Sequence, residues 1–334
     1  MGKFGFWRLR TAVVIVCISA ALGGTALADE ELIPGGQVVG IQLDIEGVLV
    51  TGVSEVETVC GTVSPAADAG IREGDIIVAV NGTAVHCASE LMEKVTSSGT
   101  KETSITLKRN GRTESLQVFP AAAKSGDIRL GLWLRDGIAG VGTVTFVNPE
   151  TGAFGALGHG VNDLNTGVLL PVEDGTVCRA QVVDVCRGQV GEPGELVGSF
   201  HAADAVGRLG KNTICGIFGE MTGRGYSGGT PLPVAPSAEI RNGRATILSC
   251  VSGGTVEEYE VEIARTGIAG GAGRDLMIRV TDEDLLETTG GIVQGMSGSP
   301  ILQNGKLVGA VTHVLVNDPT KGYGILIENM LEAA

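Results

Sequence analysis

The sequence predicts a mainly β protein of two or three domains. Three observations carry this. The 334 residues include 53 glycines, and 43% of residues are hydrophobic while only 4% are aromatic. Short apolar runs punctuated by glycine recur along most of the chain. Beyond residue 125 helical periodicity is confined to the last few residues. Many short strands joined by glycine turns produce this balance, and a helical bundle does not. A chain of this length can bury a sizeable core. Its formal net charge of −14 repels phosphate backbones, so nucleic acid is not an expected partner.

Lys3, Arg8 and Arg10 precede an apolar run from Thr11 to Ala28, which ends in Ala26-Leu-Ala28 before the acidic Asp29. A basic start, an apolar middle and a small-x-small ending make an export signal. At about 18 residues the run is also long enough for an uncleaved membrane anchor. Both readings assign residues 1–28 to a signal peptide or anchor helix and put the rest outside the cytoplasm, with the membrane as a partner through this segment. Of seven cysteines, Cys17 lies in the run. The other six permit disulfides or buried thiols, with the pairing open. No CxxC or clustered Cys/His spacing is present, so neither metal nor cofactor is expected.

Residues 36–120 form the next unit. Val38 to Leu43 and Gly47 to Thr51 read as strands, and Ser64 to Gly70 as one helical turn with a glycine stop. Asp75 to Gly82 is a buried strand running into a turn. Ala88 to Ser97 is an amphipathic helix, with Leu91 and Val95 at i and i+4. Two further strands flank Asn110-Gly111, a strong hairpin signal. The run SPAADAGIREGDIIVAVNG, Ser64 to Gly82, resembles the middle of a PDZ domain of the permuted bacterial kind. The resemblance implies that the upstream Val38 to Leu43 holds a carboxylate-binding loop. Val39, Gly40 and Ile41 would then supply amides to a peptide C-terminus or to a segment of the chain itself. The peptide would add as a strand, with Leu91 and Val95 lining its pocket.

An alanine-rich joint, Ala121 to Ser125, leads into residues 126–334, where short strands continue: Ile128 to Trp133, Gly142 to Val147, Val251 to Val261 and Leu307 to Val314. Leu326 to Ala334 reads as a terminal helix. Some 200 residues of this kind predict barrels or a sandwich rather than βαβ units. The stretch GIVQGMSGSPIL, Gly291 to Leu302, sets two serines among glycines, as an ordinary turn does and as a nucleophile turn does. A serine nucleophile needs a base, and the base an orienting partner. Of four histidines, His86 starts a helix and His201 has no glycine frame. His159 sits between glycines in GALGHGVND, and His313 lies on an apolar strand soon after the serines. Asp163, Asp282, Asp284 and Asp318 compete as the acid.

GALGHGVND, together with TGGIVQGMSGSPILQNGKLVGAVTHVLVNDP and the unit before them, resembles the stage IV sporulation protein B family of serine peptidases from about Ile33 to the C-terminus. The resemblance implies a chymotrypsin-like double β-barrel. It implies Ser297 as nucleophile, His159 as general base, Asp282 as third member and the amides of Gly295 and Ser297 as the oxyanion hole. His313 would wall a substrate subsite, and Ser299 would be structural. It further implies a self-cleaving endopeptidase in the space between forespore and mother-cell membranes. Its protein substrate there would be a regulatory subunit of an intramembrane protease complex. An inactive PDZ adaptor that binds membrane-protein C-termini is the competing class, and the intact Ser297, His159 and Asp282 argue against it.

Overall fold

The computed structural model describes residues 30–222, 229–268, 271 and 273–334. The apolar run expected to be a signal or anchor lies outside them. Among the described residues no helix is long and apolar enough to cross a membrane.

The chain enters through β1 (Glu31–Pro34) and turns into a 16-residue strand, β2 (Val38–Val53). The sequence predicts two strands here. They are one, because Gly47 takes a φ of +99° that lets the strand bend without ending. Beyond it come β3 (Ile76–Val80), α1 (Ala88–Ser98), β4 (Thr103–Arg109) and β5 (Arg112–Val118). Asn110 and Gly111 join β4 to β5 with φ of 50° and 75°, the two left-handed residues that match the strands' twist. Strand β6 (Leu132–Val147) then runs back along the whole of β2, from Leu132 opposite Val53 to Thr143 opposite Val38.

Next come β7 (Ala153–Ala156), β8 (Val172–Cys186), β9 (Glu195–Thr213) and β10 (Gly216–Met221). Their pairings close a ring in the order β2, β6, β7, β10, β9, β8 and back to β2. Val39, Ile41, Leu43, Val144, Phe154 and Val177 fill its core. A second closed barrel follows: β11 (Gly243–Ser249), β12 (Glu257–Thr266), β13 (Leu276–Val280), β14 (Pro300–Gln303), β15 (Lys306–Leu315) and β16 (Asp318–Leu326). Helix α2 (Glu283–Thr289) lies between β13 and β14, and α3 (Ile327–Ala333) ends the chain. Leu32 of β1, Phe146, Phe218, Leu307, Ile325 and Met330 form a buried cluster joining β1, both barrels and α3.

The small unit between β2 and β6 has its own core of Val48, Val50, Ile71, Ile77, Leu91, Val95, Ile105 and Leu107. Its sheet grows from the far half of β2, where Leu49 pairs with Ile76. The unit is therefore an insertion at the tip of a first-barrel ribbon rather than a bead before the barrels.

This corrects the sequence reading of the peptide groove. Val39, Gly40 and Ile41 are interior barrel residues, each paired on both sides: Gly40, for instance, faces Val141 of β6 and Cys178 of β8. A strand paired on both edges has no amides to give a peptide. Leu91 and Val95 are fully buried in the unit's core, so they support the helix from beneath and line no open pocket.

Candidate active site

The two barrels meet at the serine turn, which spans Gly290 to Ser299 between α2 and β14. Helix α2 is stopped by Gly290 in the left-handed conformation, the usual way to end a helix sharply. Gln294 then bridges to Glu195 of the first barrel, with its N–H donating to Gly194 O at 2.8 Å and its carbonyl accepting from Leu196 N at 2.9 Å. Thr143 of β6 fastens the turn from the same side. Its Oγ1 donates to Gly295 O at 2.7 Å and its N–H to Ser297 O at 3.0 Å. Gly298 is required by the closeness of this contact: its φ is +98°, and a Cβ there would lie 2.0 Å from Thr143 O.

Ser297 is partly exposed, and its Oγ donates to the carbonyl of Thr312 on β15 at 2.8 Å. Ser299 is fully buried and donates to Ser249 Oγ at 3.1 Å. Within the turn, Met296, Gly298 and Ser299 donate to backbone carbonyls, whereas the amides of Gly295 and Ser297 have no acceptor among the described residues. A Gly295 φ of +94° sets their directions.

His159 arrives from the other barrel on a strained loop. Leu157 and Gly158 are both left-handed, with φ of +68° and +69°. For a leucine that conformation is costly, and it persists because the surroundings hold it. Leu157 is buried, and its N–H donates to Thr143 O. Thr143 thus ties the histidine loop to the serine turn. The Nδ1 of His159 lies 2.9 Å from Gly160 O. A carbonyl has no proton to give, so the ring N–H sits on Nδ1 and Nε2 is left with its lone pair. Burial pushes the pKa of His159 below its ordinary value, against a smaller raising effect of the Gly160 carbonyl.

His313 stands beside it, the two ring centroids 5.1 Å apart and tilted by 37°. Its Nδ1 is buried without a hydrogen-bond partner. Burial, with the nearby His159 and Arg274, pushes its pKa down to about 4.

Ser297, His159, His313 and the two free amides are therefore assembled at one place, and Asp282 is not joined to them. One Asp282 oxygen accepts from Leu285 N at 3.0 Å, capping α2, and the other accepts from Glu260 N at 3.1 Å. Its carboxylate is committed to the start of the helix that feeds the serine turn. Two of the three competing acids are also occupied. Asp163 is buried, pairs with Arg135 and accepts from Asn165 N and Thr166 N. Asp318 holds Lys321 and Thr320, and Asp284 is exposed on α2. The orienting partner of His159 is a backbone carbonyl, which no sequence pattern announces. His86 pairs with Glu173 of β8 at 2.8 Å, bracing the inserted unit on the first barrel, and His201 is exposed.

Residues 126–331 match the family described as SpoIVB peptidase S55, and residues 60–109 match the PDZ domain family. Comparison with curated proteins gave no match. Among solved structures, the PDZ domain of an SdrC-like protein from Listeria monocytogenes aligns at 26% identity over 27% of this chain and 87% of its own, with a TM-score of 0.23. The inactive form of the Rv3671c protease aligns at 15% identity over 58% of this chain and 82% of its own, with a TM-score of 0.34. Its active form, from M. tuberculosis, aligns at 17% identity over 59% and 74%, with a TM-score of 0.31.

Proposed function

Because the chain belongs to the SpoIVB S55 peptidase family, through residues 126–331, and carries a PDZ domain, we propose that this serine peptidase acts through Ser297 and His159. The observation that carries the reading is the convergence of a partly exposed serine, a histidine with its Nε2 lone pair free and two unengaged amides on one turn. In the resting state the Ser297 hydroxyl donates to Thr312 O. Turned toward His159, it gives its proton to Nε2 as the oxygen attacks the peptide carbonyl. The amides of Gly295 and Ser297 then receive the oxyanion, at roughly 3 kcal/mol of transition-state stabilisation per donor. The imidazolium returns the proton to the leaving amine, and water repeats the sequence on the acyl-enzyme. Gly160 O keeps the Nδ1–H oriented throughout. Asp282 acts at one remove, by capping α2.

The proposed setting follows from family membership and from the basic-then-apolar N-terminus. The enzyme is exported, cleaves itself, and cuts a regulator of an intramembrane protease during endospore formation, in the space between forespore and mother-cell membranes. For the PDZ domain, we infer a peptide site along Leu132 to Arg135 of β6, a stretch whose ladder partners among the described residues come from β2 alone. A cavity of about 710 Å³ beside it is lined by Val56, Met92, Arg129, Leu132 and Trp133, among others. An added strand there would use main-chain bonds for affinity and that cavity for selectivity.

The test is a fluorophosphonate probe applied to residues 30–334 and to the Ser297→Ala form. Label on Ser297, absent from the variant and paralleled by peptide cleavage, is the expected result. A folded wild-type protein that takes no label and cuts no peptide would make the chain an adaptor.

A further inference from the structure

His313 has a buried ring nitrogen that nothing satisfies, and it faces the proposed general base. It follows Thr312 directly on β15, and Thr312 O accepts the Ser297 hydroxyl, so strand, serine and ring are held in one register. On one side the His313 ring meets His159 across 5.1 Å. On another, a Cβ built on Gly273 would touch its Cε1 at 3.6 Å, so the Gly273 backbone closes that flank. Thr312 Oγ1 donates to Gly273 O at 2.5 Å and locks the flank in place. Tyr323 is its ladder partner on β16, and the Arg274 guanidinium sits 5.3 Å over the Tyr323 ring. The charged or titratable groups facing His313 are thus His159, Arg274 and Tyr323. Neither His159 nor Arg274 favours a proton on it, and none of the three is a carboxylate.

We propose that His313 is a positioning residue for His159: its ring packs on the base ring, holds its tilt and shields it from water. The arrangement fixes the ring at a site where its hydrogen-bonding partner is the Gly160 carbonyl. It also makes charge on His313 harmful, since a second cation beside His159 opposes the imidazolium. This rests on the proposed roles of Ser297 and His159, and its test is split so that each can fail alone.

The first arm is kinetic. His313→Ala is expected to lower kcat by about tenfold, whereas His313→Phe, which keeps a ring, stays within about threefold of wild type. Wild-type kcat/KM should fall more steeply near pH 4 than the Phe variant's, because two protonations silence the native enzyme and one silences the variant. A residue with a merely structural role would leave the shape of that limb unchanged. The second arm needs no activity. In the Ser297→Ala background, NMR titration of His159 should show its pKa rising toward the ordinary value in His313→Ala, which opens one face of the ring to water. With His313→Phe it should stay depressed. An Ala variant with native rate and unchanged His159 titration overturns the proposal, and so does a folded Phe variant as impaired as Ala in both arms. If Ser297→Ala still cleaves peptide, the nucleophile assignment falls while the titration arm still decides the fate of His313.

Discussion

At the scale of single residues, the two serines of the turn are separated by burial and by partner. Ser297 is partly exposed with its hydroxyl on Thr312 O, and Ser299 is sealed against Ser249. Ser297→Ala is expected to abolish cleavage while shifting stability by less than about 1 kcal/mol, since the glycines and Thr143 set the turn. Ser299→Ala should retain cleavage and cost about 1 kcal/mol in stability from the lost buried hydrogen bond. Urea melts and a peptide assay on both variants check this. The two histidines give a pH dependence with a definite sign. Their folded pKa values lie below the ordinary 6.5, that of His313 at about 4. The unfolded chain therefore binds more protons in that interval. Their contribution to stability is full above about pH 6.5 and is lost as pH falls toward about 4. The same depression keeps His159 unprotonated, so the acid limb of kcat/KM should lie below pH 6.5. Stability and rate profiles between pH 4 and 8 are the measurements.

At the scale of elements, the site depends on two fastenings outside the reacting groups. Thr143 of β6 bonds to both Gly295 and Ser297 and accepts from Leu157, linking the serine turn to the histidine loop. Thr143→Val keeps the shape and leaves Gly295 O without that partner. The loss of a buried bond predicts about 1 to 2 kcal/mol of destabilisation, with kcat falling more than KM rises. Helix α2 is the other fastening. Asp282→Ala removes its cap and should cost about 1 kcal/mol and loosen the turn, with Asp282→Ser restoring much of both because a serine hydroxyl also caps. A Ser variant as inactive as Ala, at native stability, would return Asp282 to a direct role beside His159.

At the scale of the molecule, the inserted unit and the first barrel share one ribbon. A chain beginning at residue 126 lacks β2 and leaves the ring open between β6 and β8. It should be insoluble or unfolded. By contrast, Asp44 and Gly137 face each other across the ribbon. Replacing residues 46–135 with Asn-Gly should close it as a two-residue hairpin and give a folded double barrel that still takes a fluorophosphonate label. Circular dichroism and labelling of the two truncations decide between an inserted unit and a preceding one. β6 carries Leu132, beside the PDZ unit, at one end and Thr143, bonded to the serine turn, toward the other.

Several features were legible in the sequence because local chemistry carries them. The β class follows from glycine spacing and few aromatics, the hairpin from Asn110-Gly111, and α1 from its apolar periodicity. The serine turn and GALGHGVND are written in adjacent residues whose backbone needs glycine. What only the tertiary structure decided is how distant segments meet. Val39 to Ile41 read as a binding loop because a strand's sequence does not say whether one edge or both will be paired, and the return of β8 settles it. Asp282 reads as a triad acid until its oxygens are found capping α2. Thr143 gives no sign of its role, since its partner Gly295 lies 152 residues away. The sequence determines which groups are available and how their local backbone bends. Which of them meet is decided by the closing of the barrels, where burial and backbone pairing act between residues far apart along the chain.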